Sequence, residues 1–361
     1  MRRPWWILAI QFVLAFLAAE VCFGAEPVAL LDIKIGKERV EGRIAAHDDQ
    51  TCWILRRDGR LASFKMDDVS DFREVEPRFR PLNSLDLRDR LREEFGRDYE
   101  IKTTSHYIVV ASRSSGERYA ALFERIYRQF HTYFTTRGFR ISEPEFPMVA
   151  VVLPDQQSFV NYCIGEGARP QPGLVGYYLP SSNRVALYDR AAAGQYTADA
   201  VDDTVIHEGT HQVAFNTGVH SRIGESPLWL VEGLATLFEA DGIRQRQSGT
   251  QVSDRINPER LTWFQEYRSR RPAKSLEGFI REDSLFRRSP LDAYSQAWAL
   301  TFYLAESRPA EFAKYLKKVS DRNPVERYDA ESRVKDFKEA FGIDLDFLEN
   351  GMLRFYGKIG K

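Results

Sequence analysis

The chain has 361 residues, a formal net charge of −1 and 29% charged residues. It lacks the basic excess that nucleic-acid binding requires, so no nucleic-acid partner is predicted. Hydrophobic residues make up 43% of the chain, which is enough to build buried cores, and the length favours two or three domains.

The first 25 residues have the pattern of a secretory signal peptide. Arg2 and Arg3 precede an apolar stretch from Trp5 to Ala19, and the small residues Cys22, Gly24 and Ala25 follow it. We therefore expect cleavage of residues 1–25 and a secreted or periplasmic protein. An uncleaved membrane anchor is the alternative, but the apolar stretch is short for a membrane span.

Residues 26–78 are predicted to form a small SH3-like β-barrel. Short segments of alternating polarity are separated by turn residues such as Asp58-Gly59. The Asp58-Gly59-Arg60 hairpin resembles those of small bacterial envelope modules, which implies binding or tethering at the cell envelope. A structural cap on the rest of the chain is the alternative. The predicted strands are 28–35, 40–46, 51–56 and 61–64.

Residues 79–190 are predicted to form an α+β lobe that binds substrate. A short charged helix comes first, and His106 and His131 are expected to be structural. Cys52 and Cys163 fall in separate predicted domains, so no disulfide framework is expected. The predicted elements are a helix at 84–95, a strand or hairpin at 99–111, a helix at 116–138, a strand at 147–153, a helix starting at 155–163 and a hairpin of 173–179 and 184–188.

Residues 205–211 contain the motif H-E-x-x-H in a segment with helical periodicity. On a helix, residues four apart lie about 40° apart around the axis and roughly 6 Å apart along it, so His207 and His211 project from one face. Two neutral imidazoles there can share one Zn²⁺ ion. Glu208 lies beside them, where its carboxylate can act as a general base on water.

A second helix is predicted downstream, with Ser226 as its cap and Pro227 at its first helical position. Glu232 lies in the middle of this helix between apolar residues. A carboxylate in such surroundings is costly unless it is paired or bound to a metal. Glu232 is therefore the candidate for a third zinc ligand.

His207-Glu208-x-x-His211, followed by the sequence W-L-V-E-G-L-A at 229–235, resembles the gluzincin zinc metallopeptidases. The resemblance implies that His207, His211 and Glu232 bind Zn²⁺ and that Glu208 is the catalytic base. It also implies a zincin-like fold, in which 191–361 form the helical zinc-binding lobe. More loosely, the chain from about residue 99 onward resembles a secreted bacterial family of unknown function with a peptidase-like fold.

The sequence departs from the thermolysin-type pattern at Thr236, where an Asp would orient a zinc-bound histidine. Glu239, one turn further along the helix, is the predicted substitute. Residues 184–188 occupy the place of the strand that lines the cleft in gluzincins, where an extended peptide can add to a sheet edge. Tyr294 is a candidate for stabilising the oxyanion, and His220 is a second one.

The predicted architecture is therefore α+β, with a small barrel, a mixed lobe and a helical lobe. The predicted helices after Glu239 are 258–269, 275–281, 292–306, 309–320, 331–340 and 344–356. The chemistry implied is hydrolysis of a peptide or protein substrate by a zinc-activated water. A zinc-containing envelope protein without catalysis, or a zinc hydrolase of another amide or ester, are the alternatives.

Overall fold

The computed structural model describes residues 28–112, 115–189, 198–244, 251–342 and 344–359. The predicted signal segment, residues 1–25, lies outside them. Within the described part the chain is an α+β protein with two β-sheets and thirteen α-helices. No helix in this part is both long and apolar enough to cross a membrane.

The first sheet contains five antiparallel strands in the order β4-β3-β2-β1-β5, and the last of them was not among the predicted strands. No closed barrel is seen in the described residues, where β4 and β5 form the two ends of the sheet. The first residue of β4 instead contacts a later part of the chain, since Leu61 N donates a hydrogen bond to Ser181 O at 2.6 Å. The strands are β1 (Leu30–Ile35), β2 (Glu38–His47), β3 (Thr51–Leu55), β4 (Leu61–Lys65) and β5 (Val69–Glu76).

The second sheet has the order β6-β7-β8-β10-β9. Its three central strands, β7, β8 and β10, pair in parallel, and they are buried along almost their whole length. Runs rich in valine suit this position, because both faces of the sheet are covered. The strands are β6 (Tyr99–Thr103), β7 (Tyr107–Ser112), β8 (Met148–Leu153), β9 (Gly176–Leu179) and β10 (Arg184–Tyr188).

The prediction that residues 184–188 form the edge strand is wrong. The hairpin forms as expected, with Arg184 opposite Leu179, but β10 also pairs in parallel with β8. The edge on this side of the sheet is therefore β9, which pairs only with β10 among the described residues. A hairpin pattern shows which two strands pair, and does not show which of them takes a further partner from elsewhere in the chain.

Four helices cover this sheet. The side chains of α1 and α3 pack on one face with Ile108, Val110 and Val151, and those of α2 and α4 pack on the other with Val109 and Val185. The second helix ends three residues earlier than predicted, before Gly138 adopts a φ of 80°. The helices are α1 (Ser84–Phe95), α2 (Gly116–Thr135), α3 (Gln156–Gly165) and α4 (Ala198–Asn216).

The rest of the described chain is helical. The six helices predicted after Glu239 are present with their ends shifted by no more than a few residues, and two short helices, α6 and α9, were missed. Cys52 and Cys163 are both buried and unpaired, as expected. The helices are α5 (Leu228–Phe238), α6 (Asp241–Arg244), α7 (Pro258–Arg270), α8 (Leu276–Arg281), α9 (Ser284–Arg288), α10 (Pro290–Ser307), α11 (Pro309–Ser320), α12 (Ala330–Phe341) and α13 (Leu345–Ile359).

Helix α5 begins one residue later than the sequence suggested. Pro227 has extended backbone angles and takes the cap position, while the Ser226 hydroxyl is buried without a hydrogen-bond partner. The free amide of Leu228 is satisfied from a distant loop, since it donates to Asp283 Oδ1 at 3.1 Å. The expected serine cap was wrong because a tertiary contact does the capping.

Helices α5 and α10 approach closely at Gly233. A Cβ atom built on this glycine would lie 2.2 Å from Thr301 Oγ1 and 2.7 Å from Ala297 O. Only hydrogen fits in that space. The contact therefore brings Glu232, the residue before Gly233, close to the helix that carries Tyr294.

Arg222, in the segment between α4 and α5, links the first sheet to the rest of the chain through hydrogen bonds. Its guanidinium donates to Gly59 O at 2.7 Å and to Pro180 O at 2.7 and 2.9 Å. One side chain thus joins the β3–β4 turn, the β9–β10 turn and the segment that follows the H-E-x-x-H helix.

Candidate metal centre

The two histidines of the H-E-x-x-H motif point to one place. His207 and His211 lie one turn apart on α4, with ring centroids 4.8 Å apart and Nε2 atoms 3.2 Å apart. Two imidazole nitrogens at this distance repel each other unless a proton or a cation lies between them. Their arrangement is what the four-residue spacing predicts on a helix.

Glu232, on the next helix, completes the group. Its Oε2 atom lies 3.2 Å from His207 Nε2 and 3.5 Å from His211 Nε2. Among the described residues, these three are the group of histidine, cysteine or acidic side chains that could hold a metal ion, and we refer to them as the candidate metal-binding group.

The geometry of the three ligand atoms fits a tetrahedral ion. Ligands at about 2.0–2.1 Å from a zinc ion in tetrahedral geometry are separated by roughly 3.3 Å. The separations of 3.2, 3.2 and 3.5 Å agree with this value. Glu232 Oε2 is also buried without a hydrogen-bond donor that satisfies it, which is costly unless a cation binds there.

The electrostatics of the group favour a positive charge at its centre. Burial raises the pKa of the Glu232 carboxyl, but His211 and His207 outweigh this effect and leave the pKa below its ordinary value. Burial lowers the pKa of His207, but Glu232 and Glu239 outweigh it and raise the pKa well above its ordinary value. The protein therefore stabilises a cation here, either a proton or a metal ion.

A second layer of contacts orients His207. Glu239 Oε1 lies 2.9 Å from His207 Nδ1, which confirms that this carboxylate reaches the histidine. An imidazole that donates through Nδ1 presents the lone pair of Nε2 to the ligand position. Thr236 does not share this task, because its hydroxyl donates to Glu232 O at 2.7 Å within its own helix.

Two residues that the sequence did not reveal hold Glu239. Asn257 Nδ2 donates to its Oε2 atom at 2.8 Å, and Arg260 donates to both carboxylate oxygens at 3.1 Å. Burial raises the pKa of Glu239, but His207 and Arg260 outweigh it and lower the pKa. The carboxylate therefore stays ionised.

An open cleft of about 740 Å³ lies beside the group. Glu208 and His207 both line it, as do the residues that lead into the edge strand β9, from Gly173 to Gly176. Glu208 is half-buried and lines the same cleft as His207, and it is not a member of the candidate metal-binding group.

Tyr294 also lines the cleft, and its ring centroid lies 6.3 Å from that of His207. Burial and the nearby charges of Glu232 and Glu208 raise the pKa of its phenol, so the hydroxyl remains a donor. His220 is not among the residues that line the cleft, and it is only 2% exposed. Burial lowers the pKa of His220 to about 3, so the ring is neutral.

The comparisons with known proteins concern this region. Residues 202–326 match a family of unknown function. The matched family is DUF1570, and its match covers about a third of the chain, including the candidate metal-binding group, Glu208, Glu239 and Tyr294. No match to a peptidase family was found, and no curated protein matches the chain. The DUF1570 segment is thus the part that holds the candidate centre.

Proposed function

We propose that the chain is a secreted zinc metallopeptidase that hydrolyses peptide bonds. One observation carries the proposal. The ligand atoms of His207, His211 and Glu232 lie close enough together to share one metal ion, and Glu208 lines the open cleft beside them. A binding protein needs neither a carboxylate poised beside the metal nor room for a substrate chain.

The proposal includes the finer features of the fold. We infer a zincin-like arrangement for the lobe of the second sheet and the helices, and an SH3-like module for the first sheet, with a role in envelope tethering. The signal pattern of residues 1–25 supports export from the cytoplasm.

His207, His211 and Glu232 would hold the zinc ion. When bound, zinc supplies Lewis-acid chemistry, in that it polarises a carbonyl oxygen and lowers the pKa of water to about 7. Glu239 keeps His207 in the tautomer whose Nε2 lone pair faces the ion. Arg260 and Asn257 keep Glu239 itself in place.

Glu208 acts as the general base in this proposal. Its carboxylate accepts a proton from the attacking water and then returns it to the nitrogen of the leaving amine. Tyr294 donates its phenolic hydrogen to the oxygen on which negative charge develops, because its raised pKa keeps it protonated. The edge strand β9 offers backbone groups to an extended peptide, with which it can form one more strand pair.

The test combines metal analysis with activity. Zinc content is measured on the mature protein and on Glu232→Ala, and cleavage of a mixed peptide library is measured for the wild type, Glu208→Gln and Glu259→Gln. Glu259 also lines the cleft, so its variant is a matched control for the loss of one charge.

One zinc per chain, its loss in Glu232→Ala, and cleavage lost only in Glu208→Gln are expected. Stoichiometric zinc without cleavage of any peptide would favour the binding protein or a hydrolase of another amide or ester. A wild-type protein without zinc would refute the proposal.

A further inference from the structure

A second cavity lies far from the chemistry described so far. It has a volume of about 420 Å³, it is formed by the first sheet together with α1, and it shares no lining residue with the cleft beside the candidate metal-binding group. We refer to this cavity as the arginine groove. Its walls carry five arginines from four parts of the fold, namely Arg39, Arg56, Arg57, Arg73 and Arg90.

Two of these arginines are held by one buried carboxylate. Asp32 on β1 is only 3% exposed, and it accepts from Arg39 Nε at 2.8 Å and from Arg73 Nε at 3.0 Å. The Arg39 and Arg73 hydrogen bonds outweigh the effect of burial and lower the pKa of Asp32, so the carboxylate is charged. One carboxylate between two guanidiniums fixes their positions, and Asp71 provides a further exposed partner for Arg39.

The remaining arginines are poorly neutralised. In the part of the chain that the structure describes, the guanidiniums of Arg56 and Arg90 have neither a hydrogen bond nor an ion pair, and both residues are exposed. Arg57 donates to Arg80 O at 3.0 Å, and its nearest carboxylate, that of Glu76, is 3.6 Å away.

The two other acidic residues in the lining do not cancel this charge. Asp58 Oδ1 accepts from the backbone amide of Arg60 at 3.1 Å, and its second oxygen lies 3.9 Å from the Arg60 guanidinium, so it already has a cation outside the lining. Asp71 and Glu76 pair with Arg39 and Arg57, so Glu41 is the lining carboxylate that remains to balance Arg56 and Arg90. The groove therefore has a positive excess, although the whole chain is close to neutral.

We propose that the arginine groove is a binding site for a phosphate-bearing ligand. Guanidinium groups donate two parallel hydrogen bonds to phosphate oxygens, and arginine is favoured where planar recognition of such groups is required. Asp32 holds two guanidiniums in place before any ligand arrives, which reduces the entropy lost on binding. The cavity is much larger than one phosphate ion, so it accommodates a phosphate that belongs to a chain or a headgroup.

The test is calorimetric titration of the mature protein with inorganic phosphate, with tripolyphosphate and with a polyglutamate peptide. It is carried out in the Glu232→Ala background, which removes phosphate binding at the metal centre. The test variant is Arg56→Gln/Arg90→Gln. The control is Arg88→Gln/Arg92→Gln, which removes the same charge at two positions of α1 that do not line the groove.

Saturable binding of tripolyphosphate is expected, weakened at least tenfold in the test variant and less than twofold in the control. Equal weakening in both variants would show general charge attraction and overturn the proposal. Absence of binding, or binding of an acidic peptide without binding of phosphate, would also overturn it. Co-sedimentation with phosphatidylcholine vesicles containing phosphatidic acid then distinguishes a lipid headgroup from a free phosphate chain.

Discussion

The contact between Glu239 and His207 leads to a quantitative prediction about metal affinity. Glu239→Gln preserves the size of the side chain but removes the charge that fixes the His207 tautomer. Loss of such a second-layer carboxylate typically weakens metal binding about 10–100-fold. This corresponds to about 1.4–2.7 kcal/mol of binding free energy.

The same substitution also lowers the stability of the metal-free protein. Arg260 and Glu239 are 18% and 13% exposed, and Arg260 would lose its carboxylate partner. Breaking a fully buried pair costs about 3–5 kcal/mol, and the remaining exposure of this pair reduces the expected loss to about 2 kcal/mol.

Competition with a zinc-binding dye gives the dissociation constant, and urea unfolding in the presence of a chelator gives the stability of the metal-free form. Glu266→Gln is the matched control, because Glu266 lies on the same helix as Arg260, is exposed and has no ion pair among the described residues. A dissociation constant within twofold of the wild type in Glu239→Gln would refute the assignment of Glu239 as the residue that orients His207.

Three further predictions concern stability and the approach of the helices. Gly233→Ala should destabilise the fold by about 2 kcal/mol in urea unfolding, because its Cβ would overlap Thr301, whereas Gly278→Ala, which has open space, should be neutral or stabilising. His220 has a folded pKa of about 3 and an unfolded pKa near 6.5, so its contribution is full above pH 6.5 and is lost as the pH falls toward 3. Between pH 7.5 and pH 5, the unfolding free energy of His220→Leu should therefore fall by about 2 kcal/mol less than that of the wild type. An unchanged pH profile would contradict this. Arg222→Gln should lower the melting temperature, since it removes hydrogen bonds to Gly59 and Pro180; an unaltered melting temperature would show that they contribute nothing.

The residues that the sequence could reveal are those related by local spacing. The separation of His207 and His211 by four positions brings their Nε2 atoms together on any regular helix. Glu232 was recognised because a carboxylate inside an apolar helix requires a partner. Glu239 followed from its place two turns further along that helix. Each of these inferences depends on one or two helices and needs no knowledge of the tertiary fold.

The residues that the sequence could not reveal are brought together by packing. Asn257 and Arg260 reach Glu239 from α7, and no spacing rule connects these positions. The parallel pairing of β10 with β8 likewise joins strands that are separated by α3 and a further strand. Helix α5 obtains its cap from Asp283, which is distant in sequence. Such contacts arise only once the lobes have assembled.

The bridge made by Arg222 makes the first sheet a structural part of the segment between α4 and α5. A shortened chain that starts after the first sheet would keep all three candidate metal ligands, yet it would lose Gly59 O as an acceptor for this guanidinium. The positive charge would then keep Pro180 O as its hydrogen-bond acceptor, at a half-buried position where burial already lowers the pKa of Arg222. The turn between β3 and β4 therefore supports, from a distance, the segment that joins the two helices carrying the candidate metal ligands. We expect removal of the first sheet to disturb the positions of these side chains.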